Sequence, residues 1–441
     1  MKLFYALIII FCLQNCSFDN KTGIWKNENN LTKKESDLFK EFKALSSSNE
    51  SFNSIILPKK NYKIKLSNSI NNLEWNDIFY NQTNNSKNFK YNNNNLVVFK
   101  SKKISRHQTN DHILFKDNYI ITSDQKGNLI IYSLDLKKII YKFNFYQKRY
   151  KNIKKNLNLI LDNNTLYVSD NIGYLYAIDF QNKKVLWAKN YKIPFRSNLK
   201  VSKNKLIAST QNNNLYFFNK SNGDLLSLIP TEETIVKNQF TNNLSLNNDF
   251  TFFLNTYGSL YSIDNNTMKI KWFINLNQSL DINPSNLFIG TEIINYNDKI
   301  IVSTNSFTYL INSKTGSIIS KNNFSLQLRP VISNDYLFLI TKNNLLICKN
   351  LIDGTIIFSQ DINSQIANFL NIKKKEVEFK NIFLVNSNIY IFLKNSYILK
   401  FDINGKIKEV RKLPTKIATQ PLFIDGSIIY LDKKNKILVL N

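Results

Sequence analysis

Three consecutive segments decide the fold: residues 164–169 (NTLYVS), 173–179 (GYLYAID) and 185–187 (VLW). Each is rich in β-branched and aromatic residues, and turn-forming Asn, Asp and Gly residues lie between them, which is typical of short antiparallel strands. The same order returns in residues 258–264 (GSLYSID) and 270–272 (IKW). A strand pattern that recurs in this way predicts a repeat fold.

An Asp or Asn at the end of the third strand marks each copy of the repeat. It recurs about every 44 residues, a period that is typical of four-stranded β-propeller blades. The eight markers are Asp135, Asp179, Asn219, Asp264, Asn312, Asn350, Asp402 and Asn441. The sequence therefore predicts an all-β fold, an eight-bladed β-propeller with four-stranded blades.

Two further positions are defined by their distance from the marker. Four residues after it, Gly can adopt the positive φ of a hairpin between the third and fourth strands; this occurs at Gly223, Gly316 and Gly354. Eight residues after it, a large apolar side chain should dock the outer strand against the next blade; this occurs at Trp187, Trp272 and Phe358. Because the chain has only 10 Gly, we expect Asn to form many of the other turns.

The last copy of the repeat lacks an outer strand. Residues 422–424, 426–431 and 436–441 provide three strands, and the missing fourth would leave an unpaired sheet edge. We expect the N-terminal part of the chain to close the ring. The candidate is residues 69–76, with Trp75 as the docking residue.

Residues 1–15 have the pattern of a signal peptide. One lysine precedes the apolar run 3–13, which is too short to span a bilayer and fits an exported protein. Cys16 follows as in a bacterial lipobox, so we expect Cys16 to carry lipid; the alternative is an ordinary signal peptide with an incidental cysteine. Residues 16–68 would form a tether with a short helical pattern at 35–45, and residues 69–441 the propeller.

Charge and metal-ligand content exclude two classes of function. The net charge of +27 would suit a nucleic-acid partner, but Lys is spread along the whole chain without an aromatic recognition motif, so we expect none. The chain has 3 Cys and 2 His, at no spacing typical of a metal site. Once Cys12 leaves with the signal peptide, Cys348 has no disulfide partner. We interpret His107 and His112 as solvated or turn residues.

The repeat resembles the PQQ-like propeller repeat, Ala-x-Asp-x-x-Thr-Gly-x-x-x-Trp, and the copy that ends at Trp187 is nearly complete. A quinoprotein dehydrogenase of this architecture would hold its cofactor between a tryptophan floor and a disulfide ring, with Ca²⁺ and a catalytic Asp. The chain has only 4 Trp and no Cys-Cys pair. We therefore expect no cofactor and no catalytic activity.

The lipobox combined with eight repeats and no further domain resembles the BamB family, lipoproteins of the outer-membrane β-barrel assembly machinery. The resemblance implies a scaffold, anchored by lipid at the periplasmic face of the outer membrane, that binds the barrel subunit BamA, with nascent β-barrel proteins as further partners. Residues 190–197 (NYKIPFRS) resemble the family's BamA-contacting Leu-x-Leu-Arg-Gly loop. This match implies partner binding by Ile193, Phe195 and Arg196.

Three alternatives stay open. An Arg in this loop can instead satisfy strand ends within the propeller. The whole chain can be an exported PQQ-dependent dehydrogenase or a degenerate relative of one. It can also be a sensor propeller that binds a sugar or a peptide in its central channel.

Overall fold

The structure is a computed structural model that describes residues 51–60, 62–146, 148–233, 241–277 and 290–441, and the backbone of residues 16–18 and 25–27. The chain divides into two compact units, Met1–Glu50 and Ser51–Asn441. In the first unit, β1 (Cys16–Phe18) pairs antiparallel with β2 (Trp25–Asn27). The expected signal peptide, the side chain of Cys16 and the helical pattern at 35–45 lie outside the described residues.

The second unit confirms the prediction of an eight-bladed β-propeller with four-stranded blades. Two strands, β3 (Asn88–Phe89) and β4 (Val97–Lys100), precede the first blade. From the innermost strand outwards, blades 1 to 4 are β5–β8 (Leu114–Lys116, Tyr119–Ser123, Leu129–Ser133, Lys138–Phe143), β9–β12 (Leu157–Asp162, Thr165–Asp170, Tyr174–Asp179, Lys184–Asn190), β13–β16 (Lys200–Ser202, Lys205–Ser209, Leu215–Asn219, Leu225–Ile229) and β17–β20 (Asn243–Leu246, Phe250–Leu254, Ser259–Asp264, Ile270–Asn275). Blades 5 to 7 are β21–β24 (Ile294–Tyr296, Lys299–Ser303, Thr308–Asn312, Ile318–Asn322), β25–β28 (Val331–Ser333, Tyr336–Ile340, Leu345–Asn350, Ile356–Asp361) and β29–β32 (Phe379–Val385, Asn388–Leu393, Tyr397–Phe401, Ile407–Lys412). Blade 8 contains β33–β35 (Leu422–Ile424, Ser427–Leu431, Ile437–Leu440).

The core lies between the blades. The three inner strands of a blade are largely buried because neighbouring sheets pack face to face, as the continuous burial of β11 shows. The outer strand β12 instead alternates between half-buried and exposed residues. In every blade the register shifts once between the third strand and the outer strand, which indicates a β-bulge at the same place in each repeat.

The ring closes through β4, which pairs antiparallel with β35 as the outer strand of blade 8. An N-terminal strand thus completes the last blade, but the prediction that residues 69–76 form it is wrong. Trp75 is fully buried beside the innermost strand of blade 1, where its backbone exchanges two hydrogen bonds with Phe115 (2.7 and 3.0 Å). Its indole also packs edge-on against Phe383 of blade 7. Trp75 therefore fills the centre of the ring and not its rim.

Residues 70–91, which we call the plug, occupy the central channel and contact the innermost strands of all eight blades. In blade 1 the partner of the plug is Phe115, and in blade 2 the amide of Leu161 donates to the carbonyl of Asn76. In blade 3 the side chain of Gln82 donates to the carbonyl of Val201, and in blade 4 the amide of Leu246 donates to the carbonyl of Gln82. In blade 5 the amide of Asn295 donates to the carbonyl of Thr83, and in blade 6 the side chain of Asn85 exchanges two hydrogen bonds with the backbone of Ile332. In blade 7 β3 pairs parallel with β29, and in blade 8 the side chain of Asn72 donates to the carbonyl of Phe423. The plug therefore joins the blades at the axis.

A buried ion pair fixes the plug to blade 3. Lys200 Nζ donates to Asp77 Oδ2 (2.6 Å), to the Asn81 carbonyl (2.8 Å) and to Asn84 Oδ1 (2.6 Å). The side chains of Lys200 and Asp77 are only 0% and 5% exposed. All three protons of the ammonium group have acceptors, which a buried charge requires.

Residues 51–68, assigned to the tether by the sequence, lie on blades 5 and 6. The amide of Phe52 donates to the Asn323 carbonyl (2.7 Å), and Ile56 bridges to Ser359 in the outer strand of blade 6. Further along, the hydroxyls of Ser67 and Ser333 lie 2.8 Å apart. This stretch belongs to the propeller unit because its backbone is hydrogen-bonded to the blades.

A helix, Ile362–Leu370, follows blade 6 and is capped by Asp361, whose carboxylate accepts from the amide of Ser364. Within the described part of the chain, no helix is long and apolar enough to cross a membrane.

Candidate functional site: the funnel on the interblade-loop face

The loops that lead into the innermost strands surround a funnel on one face of the ring. It contains a small cavity of about 210 Å³, which we call the deeper cavity, and a wider cavity of about 850 Å³; the residues that line both are Phe79, Asp111, His112 and Glu292. Phe79 belongs to the plug, so the plug forms the floor of the funnel. Any ligand or partner that reaches the axis from this face meets these side chains.

Four interblade loops reach the funnel through the same local structure. In each, one residue bridges to the turn that follows the second strand of the next blade; the pairs are Thr109–Asp124, Phe195–Thr210, Leu326–Thr341 and Ile417–Asp432. The bridging residue is buried in all four cases. The residue after it lines the funnel in three of the loops, as Asn110, Arg196 and Gln327, whereas the fourth, Ala418, lines a neighbouring cavity that shares Asp111 and Lys380 with the funnel. Arg196 is the one cation among these four.

This repeat corrects the predicted role of Phe195. Its side chain is 1% exposed and packs against Tyr191 and Phe218, so it is not available as a surface anchor. Its amide donates to the Asp170 carbonyl (3.0 Å). Phe195 therefore holds the loop in place, a role that the buried apolar residues at the same position in other blades also suggest.

Arg196 and Ile193 remain accessible in part, and Arg196 faces the wider cavity. Its Nη2 lies 3.5 Å from Gln211 Oε1, and its buried Nε has no hydrogen-bond partner among the described residues. Desolvation lowers the pKa of this guanidinium. The guanidinium makes no hydrogen bond to a backbone oxygen of the described residues, so its geometry does not match that of an Arg that satisfies strand-end carbonyls.

The turn of blade 2 fixes the shape of this loop. Asp170 Oδ1 accepts from the amides of Ile172, Gly173 and Tyr174, each at 2.8 Å. Gly173 has a φ of +110°, and a Cβ there would lie 2.9 Å from the backbone nitrogen of Ile193. The close approach of two backbones explains why Gly is needed at this place and makes the loop rigid.

His107 is exposed, whereas the prediction of a solvated or turn residue is wrong for His112, which forms part of the funnel wall. Its ring meets Phe79 edge-on, with centroids 5.6 Å apart. Burial lowers the pKa of His112 to about 4, with the charge of Asp111 acting in the opposite direction. The imidazole is therefore neutral at pH 7.

Charged side chains of both signs line the deeper cavity. Arg329 Nη1 donates to the Phe79 carbonyl (2.9 Å), and Lys380 Nζ donates to the Ala418 carbonyl (2.6 Å). Asp111 and Glu292 line the same cavity and make no ion pair within 4 Å with any described residue. Nothing in the sequence pattern indicated this cluster, because its members come from three separate interblade loops and from the innermost strand of blade 7.

The residues around the funnel do not fit the quinone site that the repeat resemblance implies. No Trp and no Cys lines the described cavities. Trp75 is buried in the plug, Trp187 and Trp272 lie between blades, and Cys348 is a buried free thiol within the blade 6 and 7 core. In the described residues, no three His, Cys, Asp or Glu side chains are grouped closely enough to hold a metal ion.

Comparison with known proteins gives one family match. Residues 151–360 match the family model described as "Outer membrane protein assembly factor BamB". No curated protein sequence matches the chain.

Solved structures share the fold at low sequence identity. BamB from Moraxella catarrhalis matches with a TM-score of 0.60 and 12% identity, over 79% of this chain and 99% of that chain. Quinohemoprotein alcohol dehydrogenase from Comamonas testosteroni matches with a TM-score of 0.62 and 9% identity, over 83% of this chain and 80% of that chain. A europium-containing methanol dehydrogenase matches with a TM-score of 0.59 and 12% identity, over 83% and 89%. These likenesses concern the fold alone.

Proposed function

Because the chain is a BamB-like propeller of PQQ-type repeats, we propose that it is a non-catalytic scaffold of the machinery that assembles outer-membrane β-barrels. In this role it binds the periplasmic domains of a BamA-like barrel subunit. It is held at the periplasmic face of the outer membrane by lipid on Cys16. The observation that carries the proposal is the family match over residues 151–360, which includes the loop 190–197.

The geometry of that loop supports a binding role for Arg196. Phe195 and Gly173 hold the backbone beneath it, so the guanidinium is presented from a rigid support. A pre-organised group loses little conformational entropy when it binds, and Arg offers several donors to carboxylate or carbonyl oxygens. The proposed contact thus consists of Ile193 and Arg196, with Phe195 as the supporting residue.

The dehydrogenase alternative has structural neighbours with TM-scores similar to that of BamB, so the fold does not discriminate between the two functions. The side chains favour the scaffold. The funnel floor is the plug residue Phe79, and the aromatic and sulfur groups that a quinone site uses lie elsewhere.

A binding experiment tests the proposal. The purified chain is titrated with the periplasmic domains of the BamA-like protein from the same source, and Arg196→Gln is compared with Arg106→Gln, which removes an exposed positive charge from the same face. We expect Arg196→Gln to weaken binding at least about thirtyfold, as an interface hot spot would, and Arg106→Gln to change it little. Both variants should keep the melting temperature of the parent.

Two results would contradict the proposal. One is normal binding by folded Arg196→Gln, which removes the role of the loop. The other is stoichiometric uptake of PQQ with Ca²⁺ followed by dye reduction with an alcohol, which would establish the dehydrogenase alternative.

A further inference from the structure

The deeper cavity of the funnel has unsatisfied polar atoms in its wall. His112 Nδ1, Asn381 Oδ1 and Gln420 Nε2 are buried, and none has a hydrogen-bond partner among the described residues. Gln420 is only 5% exposed. Buried polar groups in native proteins are nearly always paired with protein, water or ligand, so three such atoms around one cavity indicate that a polar molecule belongs there.

The charges around the cavity balance. Two cations, Arg329 and Lys380, and two carboxylates, Asp111 and Glu292, line it. Asp111, Arg329 and Lys380 all act on the pKa of His112, which shows that they lie around one point of the wall. Arg329 and Lys380 donate to backbone carbonyls and form no ion pair with any described carboxylate.

This balance selects the chemistry of the ligand. An anion would meet two carboxylates, and a cation would meet two basic groups, so each gains from one pair and is repelled by the other. A molecule with an ammonium and a carboxylate close together can satisfy both pairs. A volume of about 210 Å³ fits a small molecule of this kind.

We propose that this cavity binds a small zwitterion, a free α-amino acid, with its carboxylate toward Arg329 and Lys380 and its ammonium toward Glu292 and Asp111. The amide of Gln420 and the side chains of His112 and Asn381 complete its hydrogen bonds. The inference is independent of the scaffold role, since it concerns different residues from Ile193 and Arg196.

The test is calorimetric titration of the purified full chain with glycine and L-alanine, with acetate and methylammonium as single-charge controls at equal ionic strength. We expect glycine or alanine to bind and to raise the melting temperature, since a ligand that binds only the folded state stabilises it. Acetate and methylammonium should bind at least about tenfold more weakly, because each leaves one charge pair uncompensated.

Two carboxylate variants make the test specific to the cavity. Glu292→Gln removes a carboxylate that has no described protein partner, so the fold should survive while amino-acid binding falls at least about tenfold. The matched control is Glu409→Gln on the outer strand of blade 7, which should bind as the parent does.

The two histidines provide a second readout by NMR. The imidazole signals of His112 should shift on addition of glycine, while those of exposed His107 should not. Absence of binding by the folded parent chain would overturn the proposal, because water would then account for the unpaired atoms. Equal binding of acetate and glycine, or unchanged binding by Glu292→Gln, would overturn it as well.

Discussion

At the scale of single residues, the contact between neighbouring blades depends on matched aromatic and glycine positions. Trp187, Trp272 and Phe358 lie against Gly223, Gly316 and Gly405 of the next blade, where a Cβ would come within 2.6, 2.7 and 2.5 Å of the ring. Where the aromatic is replaced by Ser320, the glycine of the next blade, Gly354, has no neighbour closer than 3.9 Å. At these three places the aromatic ring leaves no room for a Cβ on the facing residue.

This matching predicts different costs for the same substitution. All these glycines have φ near +76°, so Ala is strained at each by about 1 kcal/mol. Gly223→Ala must in addition displace the Trp187 ring, and should lose at least about 1 kcal/mol more stability than Gly354→Ala. Denaturation with guanidinium chloride measures the difference. Equal losses in the two variants would show that the ring contact does not matter.

His112 predicts a pH dependence of stability. Its pKa is lowered to about 4 in the folded protein by burial, while the unfolded chain has the ordinary value of about 6.5. The unfolded state therefore binds more protons below pH 6.5, and stability is lost as the pH falls from 6.5 toward 4. Between pH 7 and pH 5 this histidine should account for about 2 kcal/mol.

The measurement compares unfolding free energies at the two pH values in three proteins. His112→Gln should show a smaller loss than the parent chain, and His107→Gln should behave like the parent because that side chain is exposed. A parent and His112→Gln with the same pH dependence would contradict this assignment.

At the scale of elements, the blades could be predicted from the sequence and the plug could not. Each Asp or Asn marker lies at the end of a third strand or within two residues of it, from Asp135 after β7 to Asn441 after β35. The expectation that Asn forms many of the turns is confirmed, since Asn163, Asn213 and Asn334 adopt positive φ. Lys183 and Met268, which stand at the position of the repeat glycine, also adopt positive φ. The repeat was visible because each copy contains the same pattern of local signals.

The plug lacks such a pattern because its partners are distant in sequence. It binds blade edges through single Asn and Gln side chains and through Lys200, whose contact with Asp77 spans 123 residues. The prediction that Trp75 docks the closing strand was wrong for a similar reason. The sequence does not distinguish an indole that is buried at the axis from one that is buried at the rim. The interface role of Phe195 was inferred from a loop resemblance, which does not reveal burial.

The buried ion pair between plug and blade 3 predicts a large effect of one substitution. Asp77→Asn leaves the Lys200 ammonium buried without a counter-charge, and loss of one partner of such a pair costs about 3–5 kcal/mol. Asp298→Asn, which breaks an ion pair with Lys314 whose side chains are 64% and 60% exposed, is the control and should change stability little. Similar unfolding free energies for the two variants would contradict the role of the plug as a central clamp.

At the scale of the whole molecule, the N-terminal part of the propeller unit contacts every blade of the ring. It crosses blade 6, forms the plug and then becomes the outer strand of blade 8. Closure by a strand from the other end of the chain removes the open seam, and the plug links each blade to the axis.

The proposed lipid anchor on Cys16 predicts a change of location without a change of fold. Cys16→Ser removes the thiol that would carry lipid, and the propeller unit begins only at Ser51, so its melting temperature should not change. The variant should appear in the soluble fraction of the envelope, whereas the parent chain should stay with membranes in high salt. Membrane retention of folded Cys16→Ser would contradict lipid anchoring at this residue.

The most direct measurement for the scaffold function is affinity purification of the tagged chain from detergent-solubilised envelope, with Arg196→Gln in parallel. We expect the parent chain to recover a large β-barrel protein with periplasmic repeat domains in near-stoichiometric amount, and Arg196→Gln to recover much less of it. Recovery of no such protein by the folded, membrane-anchored parent chain would contradict the scaffold function.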